Sequence, residues 1–271
     1  MVSPGAAGQA LRISVFSAAY FAHAGFFNPF LPLWLKELGF GIVVISALTA
    51  VQSVTRMLAP YAWGALSDRT GDRVKLLRIG AFIALAFSSG LWFNGGTWWV
   101  GLVLLLMFAQ TSGMMPMTEA SLAHVVTVNG VFDTKRYGRV RLWGSIGFMV
   151  AVLGAGAWFE AFGMHYFPLA TNLTLVALVL AAYGLSDVKE APHPHGEAAP
   201  SIRHVLRQPQ VRWLFASIFF HVLSHMGIYT FFSLYLDALG YSKSTIGLLW
   251  AVSVIVEVGW FFTQSRWLPR F

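Results

Sequence analysis

Charged and amide side chains inside long apolar runs are the groups in this sequence placed to bind or to move protons. Arg56 stands in the middle of the apolar run 41–66, and Glu257 in the middle of the run 244–265. An unpaired charge at mid-bilayer costs at least about 2.5–3.5 kcal/mol on insertion scales, so two at matching depth call for a functional or a structural reason. Either they form a permanent ion pair, or Glu257 exchanges a proton while Arg56 holds an anionic ligand or lowers the Glu257 pKa. Glu119 lies in Pro116-Met-Thr-Glu119-Ala, close in depth to the block Tyr137-Gly-Arg139-Val-Arg141-Leu-Trp143-Gly144-Ser145. A Glu119 pair with Arg139 or Arg141 would satisfy charges that are expensive at a membrane edge, whether its role is structural or functional. His23, about half-way into the first helix, reads equally as a structural or a ligand-facing histidine, Gln110 is a polar position within an apolar helix, and Asn28 could bond a neighbouring helix or a substrate, the helix being the expected partner. His221 and His225 sit one turn apart on one helix face. With no acidic residue near them in sequence, they fit a pathway-facing pair or helix–helix hydrogen bonds better than a metal site.

The elements that position these residues must be membrane helices. Hydrophobic residues make up 57% of the 271 positions and charged ones 11%, against about 25% charged in ordinary soluble domains. The spacing predicts eight spans near 11–35, 41–66, 76–94, 98–122, 141–160, 165–185, 211–236 and 244–265. They are too long and too uniformly apolar for barrel strands. Alternate loops carry 15 of the 18 Lys and Arg residues, which places both termini in the cytoplasm of a multi-pass cell (inner) membrane protein. The net charge of +7 is thus topological, and no nucleic-acid partner is expected. There are no cysteines, so disulfides and thiolate metal sites are impossible. Pro29 and Pro32 suggest a kink or a broken end in the first helix. Gly144, Gly147, Gly154 and Gly156 offer a close-packing face on the fifth. Residues 186–210, with His193 and His195, read as a polar, Pro-rich linker that ends in an interfacial segment around Ile202, Val205 and Leu206.

After the second span comes the compact turn Gly64-Ala-Leu-Ser-Asp68-Arg69-Thr-Gly71-Asp72-Arg73-Val-Lys75. It resembles the signature loop between helices two and three of the major facilitator superfamily: Gly64, Asp68, Arg69, Gly71, Arg73 and Lys75 match, and Asp72 stands where a basic residue is usual. The Pro-x-x-Glu and Tyr-Gly-Arg-x-Arg-x-Trp-Gly-Ser blocks resemble the subgroup containing phenylpropionate permease and its nucleoside- and sugar-transporting relatives. The resemblance implies an all-α polytopic fold and proton-coupled uptake of a small organic solute (aromatic acid, nucleoside or sugar) by alternating access. It also implies a cytoplasmic gate at Gly64–Lys75 that latches two halves of the molecule, with no cofactor and no metal.

An internal repeat supports two parallel halves. Leu33-Trp-Leu-Lys-Glu-Leu-Gly-Phe40 aligns with Leu234-Tyr-Leu-Asp-Ala-Leu-Gly-Tyr241 at an offset of 201 residues, which sets Arg56 opposite Glu257. In transporters built this way the solute site lies between the halves. The expected organisation is a six-helix half over 1–185, a cytoplasmic linker over 186–210, and the first two helices of a second half over 211–271. Arg56, Glu257, His23, Gln110 and His225 are expected on the central path. Because the family pattern has twelve helices, a chain truncated after helix eight is expected. Two rival readings follow: a non-transporting membrane fragment or partner subunit, and an integral-membrane enzyme built on the helix-seven histidines with Glu119 or Glu257.

Overall fold

A computed structural model describes residues 4–128, 131–186 and 206–267. The chain forms α1 (Pro4–Glu37), α2 (Ile42–Thr70) and α3 (Arg73–Ser88), the last continuing as a 3-10 turn to Trp92. Next come α4 (Gly96–Thr111), α5 (Met114–Val126) and a minimal hairpin of β1 (Thr127–Val128) and β2 (Val131–Phe132). The remaining helices are α6 (Thr134–Phe162), α7 (Phe167–Tyr183), α8 (Pro209–Ala238) and α9 (Lys243–Trp267). Helices α4 and α5 follow each other as one span, so among the described residues eight helices have the length and apolarity to cross a membrane.

The expected eight spans are present, and several run past their apolar parts. Helix α6 starts seven residues before the apolar run at 141, because Asp133 caps it by accepting the Arg136 amide at 3.0 Å. Helix α1 is continuous through Pro29 and Pro32 instead of breaking there; a membrane helix tolerates proline where neighbouring helices and local adjustment compensate for the missing donor. The linker histidines His193 and His195, with Ile202, Arg203 and Val205, lie outside the described residues.

Turns alternate between two ends of the bundle. At one end, here the basic end, Gly71 closes α2 in the left-handed region (φ 64°) and its amide bonds the Ser67 carbonyl at 2.8 Å. Asp72 then caps α3 by accepting the Lys75 amide at 3.3 Å, which accounts for an acid where the loop pattern usually has a base. Arg78 ties α3 to the end of α7 at the same end, donating to the Leu185 carbonyl at 2.8 Å and to Ala182 at 3.3 Å. At the opposite end the turns use Gly39, Gly96, Gly163 and Gly240, all with positive φ.

Two of those turns are copies of each other. Gly39 (φ 85°) and Gly240 (φ 83°) are 201 residues apart. The Phe40 amide bonds the Leu35 carbonyl at 3.2 Å and the Tyr241 amide bonds Leu236 at 3.1 Å; Gly39 bonds Lys36 at 2.9 Å and Gly240 bonds Asp237 at 3.0 Å. Both are glycine-closed helix ends of the Schellman type, which a residue with a Cβ would strain. The repeat read from eight residues is therefore a repeat of backbone geometry.

Helix α1 is the packing centre. Phe16, Phe26, Phe27 and Phe30 are fully buried, together with Phe159 and Phe167 from α6 and α7. Closeness between α1 and α6 depends on missing side chains: a Cβ on Gly25 would lie 2.6 Å from the Phe148 carbonyl oxygen, and one on Gly147 would collide with that of Ala18. The same device joins α6 to α9, where a Cβ on Gly156 would meet the Lys243 carbonyl oxygen at 2.7 Å and one on Gly247 that of Val152 at 2.6 Å. Gly154, grouped with these by sequence, faces open space.

Candidate functional site

A cavity of about 840 Å³ lies among α1, α2, the α4–α5 junction, α6, α8 and α9. Each long helix contributes one face at helical spacing: Tyr20, Ala24 and Asn28 from α1; Ser145 and Phe148 with Arg141 from α6; His225, Tyr229 and Phe232 from α8; Trp250, Ser253 and Glu257 from α9. Arg56 and Pro60 of α2 close one side. The wall formed by α8 and α9 is aromatic: Tyr229 stacks on Trp250 at 5.4 Å, and the Trp250 indole donates to the Ser233 hydroxyl at 2.9 Å.

Arg141 is the electrostatic centre of this site. Its Nε lies 3.5 Å from Glu119 of α5, and another guanidinium nitrogen lies 3.8 Å from Glu257 of α9. The Tyr137 hydroxyl donates to the other Glu119 oxygen at 2.9 Å. The guanidinium also sits 4.2 Å from the centre of the Phe21 ring, within cation–π range. A planar, multi-donor cation is suited to spanning two carboxylates and an aromatic face at once, as an ammonium is not. The pair expected for Glu119 thus forms with Arg141. Arg139, two residues away and on another helix face, is exposed.

The residues predicted on the central path divide. Arg56, Glu257 and His225 come together on the cavity wall. Arg56 and Glu257 do not pair, however: the Glu257 carboxylate is turned to Arg141, and among the described residues Arg56 has no ion-pair partner. An offset of 201 residues fixes equal depth but not the direction in which two side chains point.

His23 faces away from the cavity, buried against α7 beside Phe26 and Phe27. Its Nδ1 lies 2.9 Å from the Thr174 hydroxyl, which is also within hydrogen-bond distance of the Ala170 carbonyl. Gln110 is likewise not on the cavity wall, and its side-chain oxygen is buried without a hydrogen-bond partner among the described residues. Asn28 does bond a neighbouring helix, accepting from Gln52 at 2.9 Å, and also reaches the cavity. The His225 Nδ1 lies 2.9 Å from the His221 carbonyl, and no group of three or more potential metal-ligating side chains exists among the described residues.

At the basic end, Arg73 lies 3.9 Å from Asp68 and donates to the Ser67 hydroxyl at 3.1 Å. Asp68 itself is 75% exposed, and Arg69 and Lys75 project outward. Gly64 has open space around it. Tyr20, Tyr229, Phe232, Trp250 and Ser253 were not singled out from the sequence; continuing the i, i+3, i+4 and i+7 faces through His225 and Glu257 reaches those on α8 and α9.

A bundle of eight membrane-length helices with a repeated helix-end turn and a charged, aromatic cavity defines a polytopic membrane protein of the major facilitator type. The chain belongs to the MFS_1 like family, whose model matches residues 10–271. It is 27% identical over 255 residues to the probable 3-phenylpropionic acid transporter of Escherichia coli (strain K12), covering 93% of this chain and 65% of that protein. It is also 27% identical over 275 residues to the maltose permease of Geobacillus stearothermophilus, covering 97% of this chain and 67% of that protein. The chain therefore spans about two thirds of the length of these relatives. Two crystal structures of the nucleoside transporter NupG superpose with TM-scores of 0.75 and 0.72, each at 17% identity; both cover 97% of this chain, and it covers 69% and 68% of theirs.

Proposed function

We propose that the protein acts in proton-coupled uptake of a small organic solute across the cell membrane by alternating access. Residues 1–185 and 211–271 would belong to two bodies that rock about the cavity, joined by the cytoplasmic linker 186–210, with both termini in the cytoplasm. The observation that carries this reading is the position of Arg141, shared between Glu119 on α5 and Glu257 on α9. A carboxylate that pairs across the two bodies in one state and is exposed to the cavity in the other changes its proton affinity with conformation, which is the requirement for coupling. Aromatic walls suit a flat or cyclic solute, and Arg56 offers a cation to an acidic one. The relatives named for an aromatic acid, a disaccharide and nucleosides mark the range: aromatic acid, sugar or nucleoside.

Proteoliposome transport tests this. With Glu257→Gln the protein should insert and still exchange labelled solute against unlabelled solute, but should not accumulate it against a gradient when a proton gradient is imposed. Undiminished accumulation by that variant would refute the coupling role of Glu257. Lack of exchange by the unaltered chain with members of all three solute classes would refute the transport reading.

A further inference from the structure

Two cations line the cavity, and among the described residues only one of them is engaged. Arg141 of α6 is held by the Glu119 and Glu257 carboxylates and by the Phe21 ring. Arg56 of α2 lies on the same wall, with neither an ion-pair nor a hydrogen-bond partner among the described residues. Tyr20 of α1 is within electrostatic range of both guanidinium groups, which places Arg56 and Arg141 in one region of the cavity. Glu257 of α9 is, among the described residues, the one acid on the wall, and it is turned to Arg141. Helices α1 and α8 contribute Tyr20, His225 and Tyr229 as titratable groups but no carboxylate. A guanidinium presents its donors as a planar fork that matches the two oxygens of a carboxylate.

With Glu257 ionised and His225 neutral, the charges of Arg56 and Arg141 are matched by those of Glu119 and Glu257. Protonating Glu257 leaves one positive charge without a counter-charge. A net charge enclosed at mid-bilayer is costly, so the protonated site is complete only with a solute that carries a single negative charge. We propose that the cavity takes a monocarboxylate, that Arg56 holds its carboxylate, and that each anion travels with one proton on Glu257, so that neither the loaded nor the unloaded site moves net charge across the membrane. The proposal rests on the reading of Glu257 as the proton carrier. The step balances: Glu257 gains a proton on one side of the membrane and returns it on the other, and no bond of the solute forms or breaks. A sugar would leave the protonated site one charge positive, and a dianion would leave it one charge negative. Arg56 is thus the residue that decides between charged and neutral solutes. For the remainder of the solute, the Tyr229 and Phe232 rings, 5.4 and 5.5 Å from that of Trp250, offer an aromatic wall.

Isothermal titration calorimetry on the purified protein tests the assignment without transport. The probes are phenylacetate, cinnamate and indole-3-acetate, each compared with its uncharged amide. At least one acid should bind about tenfold or more tightly than its amide, the difference made by a hydrogen bond between charged groups. Arg56→Gln should bring that acid down to the affinity of its amide, and Arg56→Lys should keep part of the preference, because the charge remains without the fork. Affinity for the acid should fall by about tenfold per pH unit once Glu257 ionises, since proton and anion binding are linked; Glu257→Gln should show no such fall. In proteoliposomes, acid uptake driven by a pH gradient should be the same with and without a membrane potential set by potassium and valinomycin. Amides that bind as tightly as their acids, failure of all three acids to bind, or an acid preference that survives Arg56→Gln would overturn the proposal. So would an equal pH dependence in Glu257→Gln, or uptake driven by the potential alone. Acid-selective binding through Arg56 with no exchange across the membrane would count against the transport reading instead, so the two failures are told apart.

Discussion

Arg141 holds three groups from three helices, and a change there separates charge from geometry. Removing the cation leaves the Glu119 and Glu257 carboxylates without the partner they share, a situation known to cost about 3–5 kcal/mol when fully buried. Glu257 is 43% exposed and Glu119 29% exposed, so Arg141→Gln should destabilise the protein by about 1–3 kcal/mol after that screening. Adding Glu119→Gln should recover most of the loss, since it removes the stranded acid. Thermal unfolding in detergent checks this order, with Arg141→Lys falling between the parent and Arg141→Gln because one ammonium cannot span both carboxylates. Equal unfolding temperatures for Arg141→Gln and the double variant would show that the coupling is not electrostatic. Sequence reasoning reached half of this arrangement. The Glu119 partner was legible as a depth match between two stretches, but the reach of Arg141 to Glu257 was not. Which way a mid-membrane side chain turns depends on helix rotation, and the 201-residue register carries no information about rotation. His23 illustrates the same limit: its depth suits the central path, yet its face of α1 belongs to the aromatic packing with α7.

At the scale of elements, the helices are held together by missing side chains as much as by those present. Without a hydrophobic driving force between helices in lipid, close approach and van der Waals contact carry the association. Gly247 and Gly154 make a controlled comparison, since both are helical glycines near the α6–α9 region but only Gly247 touches backbone across the interface. Gly247→Ala would place its Cβ 2.6 Å from the Val152 carbonyl oxygen, forcing the helices apart at a cost of about 1–3 kcal/mol. Gly154→Ala has room and should be neutral within about 0.5 kcal/mol. The expected result is an unfolding temperature lowered by a few degrees for the first variant alone. The small residues of α6 were visible in the sequence as one packing face. That Gly144 and Gly147 serve α1, Gly156 serves α9 and Gly154 serves neither needed the neighbours in place. The repeated turn was more legible, because a positive-φ glycine closing an apolar helix is a local requirement written in local sequence.

The whole molecule is polarised by charge. At the basic end lie Arg69, Arg73, Lys75 and Arg78, then Lys135, Arg136 and Arg139, with Arg12 donating to Ser186 at 2.9 Å beside them. The opposite end carries Lys36 and Lys243, both engaged with Asp237. Spans were the most legible feature of the chain, because twenty apolar residues in a row leave few structural options. The α6 start escaped because a helix that leaves the bilayer can continue on polar residues under its own cap. Orientation follows from the charge bias: the translocation machinery retains Lys- and Arg-rich loops on the cytoplasmic side, so the basic end should face inward. Cysteines placed singly at Asn94 and Tyr241, at one end, and at Val131 and Lys135, at the other, all fall on exposed positions. An impermeant maleimide added to intact cells should label the first two, and the second two only after the membrane is permeabilised. Labelling of Val131→Cys and Lys135→Cys in intact cells, with the other pair protected, would invert the molecule. It would place the Lys36–Asp237 ion pair on the cytoplasmic face and the Gly64–Lys75 turn outside. Because α1 to α9 form one antiparallel series, a single mixed result is not compatible with eight spans: both residues of each pair must respond alike.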